Sequence, residues 1–170
     1  MVQKLETIGV LHLIDSLDAG GAERVAVNLV NSLPRDQFHV HLCVTRRSGP
    51  LEKELAPEVS ILKLDRRGRF DLVALLRLMN YIRQNQIQIL HAHSSSVFLA
   101  SLAATICGCK LVWHDHNGTA EVNYRPVYPY RIIARKVSAV FSVTRPLANW
   151  ATTVLRISSA KVFYLQNLVI

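Results

Sequence analysis

The fold is decided by residues 8–34, which read IGVLHLIDSLDAGGAERVAVNLVNSLP. The first seven of these residues form a short apolar run, typical of a strand buried on both faces of a sheet. Over residues 22–33 the apolar positions recur at helical spacing, and Pro34 ends the helix. Residues 15–21 lie between them as a loop that ends in two glycines. This stretch predicts a strand, a turn and a helix, which is how a βαβ unit begins.

The rest of the chain repeats this alternation. Further strands are predicted over residues 39–45, 59–64, 87–91, 110–114, 139–143 and 161–165, and helices over 51–56, 71–84, 95–107, 126–137 and 146–155. Asp71 is the expected N-cap of one helix, and Gly108 is expected to close another. Strands and helices that alternate so regularly predict an α/β fold. We expect a Rossmann-like, doubly wound, mostly parallel sheet of about seven strands with helices on both faces.

Length and composition favour one cytoplasmic domain. The chain has 170 residues, half of them hydrophobic, which suits a single domain with a substantial core. Its first residues lack the apolar segment of a secretory signal, and its longest uncharged run, residues 94–109, is too short to span a membrane. Three cysteines do not form a disulfide framework, so we interpret them as reduced thiols.

The charge of the chain predicts anionic partners. The formal net charge is +8 and the pI about 9.8, which favours nucleic acid, acidic lipid or phosphorylated substrates. Basic residues cluster at 66–69 and again at Arg131, Arg135 and Lys136, near several tyrosines. Solvated surface is one interpretation of both clusters. The other is peripheral contact of Arg131, Arg135 and Lys136 with an anionic inner membrane leaflet. No nucleic-acid partner is predicted, because no recognised binding motif accompanies the charge.

Candidate binding residues lie where the predicted strands end, the edge at which open parallel sheets bind ligands. The loop after the first strand ends in Gly20 and Gly21. Two glycines allow a close approach of the backbone and a positive φ, and the free N–H groups of the following helix suit a phosphate. The alternative is a tight turn without a ligand. The dinucleotide fingerprint G-x-G-x-x-G is absent from the chain.

Histidines form the second group of candidates. His91 and His93 end the fourth predicted strand and point to the same side of it. A metal would need further ligands, which His114 and His116 are able to supply, but we favour substrate binding over a metal. His91 is interpreted as a satisfied core histidine. His93, nearer the loop, is interpreted as functional, because a histidine there can hydrogen-bond a hydroxyl or transfer a proton.

The third group is the polar segment 114–118, which follows an apolar strand and ends in an Asn-Gly turn. Polar residues at the carboxyl end of a parallel strand favour ligand binding. A solvated loop is the alternative. The chain has no nucleophile elbow, no Walker loop and no carboxylate pair arranged for glycoside hydrolysis.

Together these segments resemble a known family. The stretch Gly20-Gly21-Ala22-Glu23-Arg24-Val25, with the helix after it, is similar to the N-terminal segment of family-4 glycosyltransferases, which have the GT-B fold. The segments 91–93 and 113–118 resemble the H-x-H and the histidine-rich loop of that family, and Thr144 follows a strand that often ends in serine there. The resemblance extends, in order, over nearly the whole chain.

The resemblance implies an enzyme of two Rossmann-like domains, of which the N-terminal one holds mainly the acceptor. The C-terminal domain holds most of a nucleotide-diphosphate sugar, transfer usually retains anomeric configuration, and neither a metal nor a cofactor is needed. Gly20 and Gly21 would lie near the donor diphosphate, and His93 at the reaction centre as the catalytic residue. His116 and Asn117 would line the acceptor side, and Thr144 is a further expected substrate contact.

Two departures from the family pattern bear on the extent of the domain. The family's Asn-Gly-Val/Ile-Asp is matched here only by residues 167–170, which read NLVI, and no Glu-x7-Glu occurs in the chain. Residues 1–170 are therefore predicted to be the acceptor-side domain without the donor-binding domain, and to be inactive alone. The predicted acceptor is a polysaccharide, lipopolysaccharide or glycolipid. The alternatives are a stand-alone binding or regulatory module for a phosphorylated small molecule, an NAD-type oxidoreductase domain, and a nucleic-acid binder.

Overall fold

The structure, a computed structural model, describes residues 7–118, 122 and 124–166. Its strands are β1 (Ile8–Ser16), β2 (Phe38–Arg47), β3 (Ser60–Lys63), β4 (Ile87–His93), β5 (Lys110–Asp115), β6 (Val137–Ser142) and β7 (Val162–Tyr164). Its α-helices are α1 (Gly21–Ser32), α2 (Leu72–Gln84), α3 (Val97–Cys107), α4 (Val127–Ala134) and α5 (Arg145–Thr153). Short 3₁₀ turns occupy Pro50–Glu54, Ser94–Ser96 and Ser159–Lys161. The predicted alternation of strands and helices is confirmed.

All seven strands are parallel and lie in one sheet in the order β3-β2-β1-β4-β5-β6-β7. The chain builds outward from β1 to β3, then returns to the other side of β1 and continues through β4 to β7. The order therefore reverses between β1 and β4, so the connections that leave their carboxyl ends go to opposite faces of the sheet. The crevice between such connections is where these sheets bind ligands.

Two cores fill the two faces of the sheet. On one face Leu11, Leu13 and Trp113 pack beneath α2, α3, α4 and α5. On the other face a smaller core joins α1 to β1 and β2, with Val27 and Leu42 among its buried members. Helices thus cover both faces, as predicted, and Cys43 lies in the larger core as a free thiol. No described helix combines the length and the apolar character that crossing a bilayer requires.

Two helix ends were predicted correctly from single residues of the sequence. Asp71 caps α2, its side chain accepting a hydrogen bond from the backbone N–H of Ala74. Gly108 closes α3 in the left-handed region, at φ 76°. The helix predicted over residues 126–137 is too long, because α4 ends at Ala134 and Val137 begins β6. Val137 continues the helical spacing of Ile133, so the apolar pattern alone does not separate the two elements.

Neither Gly20 nor Gly21 adopts the positive φ that a glycine allows. Gly20 is extended, at φ −148° and ψ 162°, and of the described glycines Gly108 has a positive φ. Gly20 serves instead as the N-cap of α1, where a side chain would meet the carboxylate of Glu23. Gly21 has open space where its side chain would be.

Candidate functional site

The carboxyl ends of β1, β4 and β5 bring histidines from three strands together. His12 pairs in register with His91, and His93 with His114. Side chains of residues paired in a parallel sheet lie on the same face, so these four histidines share the face that carries α1. His116 follows β5 and joins them. We call His12, His91, His93, His114 and His116 the histidine cluster.

His93 is the centre of the cluster. Its Nε2 lies 3.1 Å from Nδ1 of His12, and its Nδ1 lies 3.0 Å from Nε2 of His116. The rings are stacked, with centroids 4.7 Å apart for His91 and His93 and 4.0 Å apart for His114 and His116. His93 is 1% exposed. The structure thus places the predicted catalytic histidine below the surface, with both ring nitrogens engaged by other histidines.

Burial keeps the cluster uncharged at neutral pH. Desolvation, with a smaller contribution from neighbouring histidines, lowers the pKa of His12 and of His116 to about 3. Desolvation lowers the pKa of His114 to about 4 and those of His91 and His93 well below the usual value. A neutral imidazole has one donor and one acceptor nitrogen, so the bonds from His116 through His93 to His12 all run in one direction. When a proton enters at one end of this series of hydrogen bonds and another leaves at the far end, donor and acceptor exchange in every bond of the series.

Several cluster nitrogens are buried without a hydrogen-bond partner in the described part of the chain. They are Nε2 of His12, Nε2 of His91 and both ring nitrogens of His114. The interpretation of His91 as a satisfied core histidine is therefore wrong, since its ring contacts are stacking contacts. Unpaired buried polar atoms cost free energy and mark a site that a polar group is able to enter.

Two histidine triads also have the spacing of metal ligands. Ligand atoms of His12, His91 and His93 lie within 4.8 Å of one another, and so do those of His93, His114 and His116. His93 belongs to both triads, and a tetrahedral site needs a fourth ligand or water beside three histidines. Both ring nitrogens of His93 belong to the hydrogen-bonded chain, so an ion bound by either triad would have to break one of its two hydrogen bonds. The prediction of no metal here remains a prediction.

The glycine loop places the N-terminus of α1 beside the same edge. No side chain caps this helix, so N–H groups of its first turn are available to an anion. Glu23 lies in that turn, and Ser16 donates a hydrogen bond of 3.3 Å to its carboxylate. The two predicted glycines thus lie at an open helix end, next to a carboxylate that an incoming phosphate would displace.

The remaining predicted site residues lie at the ends of β5 and β6. The backbone N–H of Asn117 donates to the side chain of Asp115 over 3.4 Å. Thr144 caps α5, its hydroxyl oxygen accepting from the N–H of Leu147, so its first visible role is structural. Asp115 is itself buried and forms a two-pronged ion pair with Arg125 at 2.6 and 2.7 Å. That pair holds the end of β5, from which His116 and Asn117 project.

The basic residues predicted to touch a membrane lie away from the histidine cluster. Arg131, Arg135 and Lys136 are exposed, and the last two follow the end of α4 rather than lying within it. Arg131 and Arg135 line a shallow cavity of about 350 Å³ together with Arg156. The second basic segment, residues 66–69, lies in the loop before α2, much nearer the cluster.

Comparison with known proteins identifies the family. The family model described as Glycosyltransferase Family 4 matches residues 19–169 of this chain. The chain belongs to glycosyltransferase family 4. This family-4 chain is 29% identical, over 106 residues, to the Escherichia coli UDP-Gal:alpha-D-GlcNAc-diphosphoundecaprenol alpha-1,3-galactosyltransferase, covering 59% of this chain and 27% of that protein. The chain therefore spans about a quarter of the length of this curated relative.

Solved structures share the fold of this family-4 chain. The Anabaena protein Alr3699/HepE, solved with UDP and glucose, matches with a TM-score of 0.71 and 17% identity, covering 94% of this chain and 44% of that one. A glycosyltransferase from Rickettsia africae ESF-5 has a TM-score of 0.67 and 16% identity over 95% and 43% of the two chains. The Neisseria meningitidis UDP-GlcNAc 2-epimerase bound to UDP-GlcNAc has a TM-score of 0.67 and 16% identity, over 94% and 47%. These likenesses establish a Rossmann-like half of a GT-B fold.

Sequence reasoning missed His12, whose Nδ1 lies within hydrogen-bond distance of the central histidine. It lies inside an apolar strand, where a single polar residue gave no pattern to follow. One clue was available, because His12 is a histidine in a run that otherwise predicts burial on both faces. Sequence reasoning also missed Asp15, which ends the buried part of β1. Its carboxylate accepts hydrogen bonds from Thr45 at 2.5 Å and from Ser95 at 2.6 Å.

Proposed function

We propose that this chain is the acceptor-side part of a glycosyltransferase that moves a sugar from a nucleotide-diphosphate sugar to a cell-surface polysaccharide, lipopolysaccharide or glycolipid precursor, with retention of configuration. The observation that carries the proposal is the histidine cluster of a family-4 chain, gathered where the strand order reverses. A crevice of this kind is where open α/β sheets bind ligands. Donor and acceptor must meet there for transfer to proceed.

A nucleotide sugar is the proposed donor. The Anabaena structure named above contains UDP and the Neisseria meningitidis structure contains UDP-GlcNAc. The open N-terminus of α1 at Gly20 and Gly21 offers N–H groups to a diphosphate. This chain would supply only part of the donor site, with the remainder coming from a second domain. Transfer by residues 1–170 alone is therefore expected to be undetectable.

The proposed acceptor is a lipid-linked sugar. The name of the Escherichia coli relative specifies N-acetylglucosamine joined to undecaprenol through a diphosphate. His116 and Asn117, at the mouth of the cluster, would contact the acceptor sugar, and Thr144 lies on the neighbouring strand end. An acceptor anchored in a bilayer implies a cytoplasmic enzyme at the inner membrane face. Arg131, Arg135 and Lys136 would then touch anionic headgroups, and neutralising all three should abolish flotation with anionic vesicles.

His93 is the proposed catalytic residue, working through its two neighbours. Its burial and lowered pKa make it a poor proton donor at pH 7, but a neutral imidazole in a hydrogen-bonded chain is well suited to orient another group. In this role His93 fixes the ring of His116 toward the acceptor hydroxyl, while His12 fixes His93.

The test is a transfer assay with the complete product of the gene. The enzyme is incubated with UDP-galactose, and in parallel with UDP-glucose and UDP-GlcNAc, using GlcNAc-diphosphate-farnesol as the acceptor. Labelled product extracted with the lipid, with an α linkage by NMR, is the expected result. The residue 1–170 chain is assayed beside it as the matched control. Failure to transfer any sugar to any lipid-linked or free saccharide would overturn the proposal.

A further inference from the structure

A cavity of about 420 Å³ opens at the carboxyl edge of the sheet, on the face that α2, α3 and α4 cover, and has two unlike walls. Three arginines, Arg46, Arg66 and Arg69, line one side. The other side is apolar, and its described lining residues are Phe70, Phe98, Leu99, Leu102 and Pro129, with Ser95 between the two walls. We call this cavity the arginine pocket. None of its arginines belonged to the site predicted from the resemblance.

The charged wall has more positive charge than its partners neutralise. Arg66 pairs with Asp15 at 3.3 Å and Arg46 approaches the same carboxylate at 3.8 Å. Within the described part of the chain, Arg69 has no ion pair or hydrogen bond. The three guanidinium groups therefore face one carboxylate, which already accepts hydrogen bonds from Thr45 and Ser95. Two positive charges remain for an anion from outside.

Arg66 is built into the pocket rather than lying on the surface. Its side chain is 7% exposed, and its Nε is buried with no hydrogen-bond partner among the described residues. A buried guanidinium N–H without an acceptor costs free energy, which a bound oxyanion would recover. Guanidinium groups bind phosphate oxygens in a two-pronged arrangement that lysine does not provide. This is the observation that points to a phosphorylated ligand.

The apolar wall continues onto the outer surface. Phe70 is 95% exposed, and Leu72, Val73 and Leu76 of α2 are exposed beside Leu102 and Ile106 of α3. The helices α2 and α3 pack against each other, and both begin at the carboxyl edge of the sheet. These exposed apolar side chains form a strip that extends from the arginine pocket along α2 and α3. Exposed apolar surface next to a phosphate-binding group matches a diphosphate that carries a hydrocarbon chain.

The pocket and the proposed reaction centre lie at the same carboxyl edge of the sheet, on the faces that carry α3 and α1 respectively. Ser95, on the lining of the pocket, is two residues after His93, so their Cα atoms are at most about 7 Å apart. In a lipid-linked sugar the diphosphate is attached directly to the sugar ring. A diphosphate in the arginine pocket would then place the acceptor ring between the pocket and the histidine cluster.

We propose that the arginine pocket binds the diphosphate of a polyprenyl-diphosphate-linked sugar acceptor, and that its apolar wall and the strip along α2 and α3 hold the first units of the prenyl chain. This inference rests on the proposed function and specifies its acceptor. The donor diphosphate is expected elsewhere, at the N-terminus of α1. The pocket therefore discriminates between acceptors with and without a diphosphate.

Binding is measured on the complete gene product with GlcNAc-diphosphate-farnesol below its micelle concentration, by calorimetry. Arg69→Gln should weaken binding about tenfold, and Arg66→Gln combined with Arg69→Gln about a hundredfold, because each removes a charge-assisted contact. Arg83→Gln is the matched control, since Arg83 lies about 16 Å along α2 from the start of that helix, which is the end near the pocket. Octyl N-acetylglucosaminide, which lacks phosphate, should bind the variants and the parent protein equally. Arg69 is exposed, so Arg69→Gln tests the pocket without disturbing the core.

Other outcomes would overturn the inference. If Arg69→Gln weakens UDP binding as much as acceptor binding, the pocket holds the donor diphosphate. If it reduces only flotation with anionic vesicles, the pocket binds bilayer headgroups. Unchanged acceptor binding in both variants would leave the pocket without this role. The proposed function fails separately, when the parent protein transfers no sugar in the assay above, whereas this binding measurement does not depend on turnover.

Discussion

The histidine cluster and the arginine pocket lie at one edge of the same sheet, yet they differ in how they hold charge. The histidines are buried or partly buried and are stacked on one another. Their pKa values are lowered, so they stay neutral. The pocket contains three guanidinium groups, and among the described residues one carboxylate, that of Asp15, pairs with them. A neutral network suits the orientation of hydroxyl groups, and a charged wall suits the binding of phosphate. The contrast fits the proposal that the two regions are halves of one acceptor site.

Among these tests, lowering the pH should produce the largest difference in behaviour between the histidine cluster and the arginine pocket. A histidine whose folded-state pKa lies below its unfolded value of 6.5 binds its proton more readily when unfolded. Its contribution to stability is therefore complete above pH 6.5 and is lost as the pH falls toward the folded pKa, about 3 for His12 and about 4 for His114. Each such histidine lowers the free energy of unfolding by about 1.4 kcal/mol per pH unit in that window.

Urea unfolding at pH 7.5, 6.0 and 5.0 measures this loss. His41, on the opposite face of the sheet, has its pKa lowered to about 4 and adds to the slope. We expect a decrease of several kcal/mol by pH 5.0, a large share of the 5–15 kcal/mol that stabilises a typical domain. A free energy of unfolding that stays constant between pH 7.5 and 5.0 would contradict the neutral cluster.

Replacing His93 with alanine should disable the cluster and leave the arginine pocket intact. In the complete gene product, His93→Ala is expected to lower turnover on the order of a hundredfold, because His12 and His116 lose their common partner. Calorimetric binding of GlcNAc-diphosphate-farnesol should fall far less. His39→Ala is the control, since His39 is exposed on the other face of the sheet. Unchanged turnover would remove His93 from the mechanism.

Asp15→Asn should alter the arginine pocket, strengthening acceptor binding while lowering the stability of the fold. It removes the carboxylate that pairs with Arg66, so the free energy of unfolding should fall by about 1 to 3 kcal/mol. The pocket gains one net positive charge, and acceptor binding should become tighter. The control Asp18→Asn breaks a pair with the exposed Arg47, worth at most about 1 kcal/mol. Weaker acceptor binding in Asp15→Asn than in Asp18→Asn would show that Asp15 is needed to shape the pocket.

Removal of metal should have the smallest effect of all. Dialysis of the complete gene product against EDTA is expected to change neither turnover nor melting temperature, because both ring nitrogens of His93, the histidine common to the two triads, are engaged in hydrogen bonds. Metal analysis of the purified protein gives the decisive measurement. A stoichiometric transition metal, lost together with activity, would assign one of the histidine triads to a metal site.

Much of the fold follows from local patterns in the sequence. The apolar runs, the Asp71 cap and the Gly108 terminus each depend on a few neighbouring residues, and the structure agrees with them. The end of α4 was misplaced because Val137 fits helical spacing as well as it fits a strand. The conformation of Gly20 could not be predicted, since a glycine permits a positive φ without requiring one.

The candidate site was less accessible to sequence reasoning. His93, His116 and Asn117 were found because they follow strand ends, which a parallel topology brings to one edge. His12 was missed because its role depends on register with β4, which no local pattern encodes. The arginine pocket combines side chains from β2, the loop before α2, and the start of α3. Their proximity is a property of the assembled sheet.

The pairing of β1 with β4 also has a consequence for how the protein folds. His12 and His93 are 81 positions apart in the chain, although their ring nitrogens touch. Strands β1, β2 and β3 with α1 are complete in sequence by residue 63, well before β4 is synthesised. Closing that long loop is slow compared with forming local contacts. The histidine cluster therefore assembles late, and histidine NMR signals should report when the two halves of the sheet have joined.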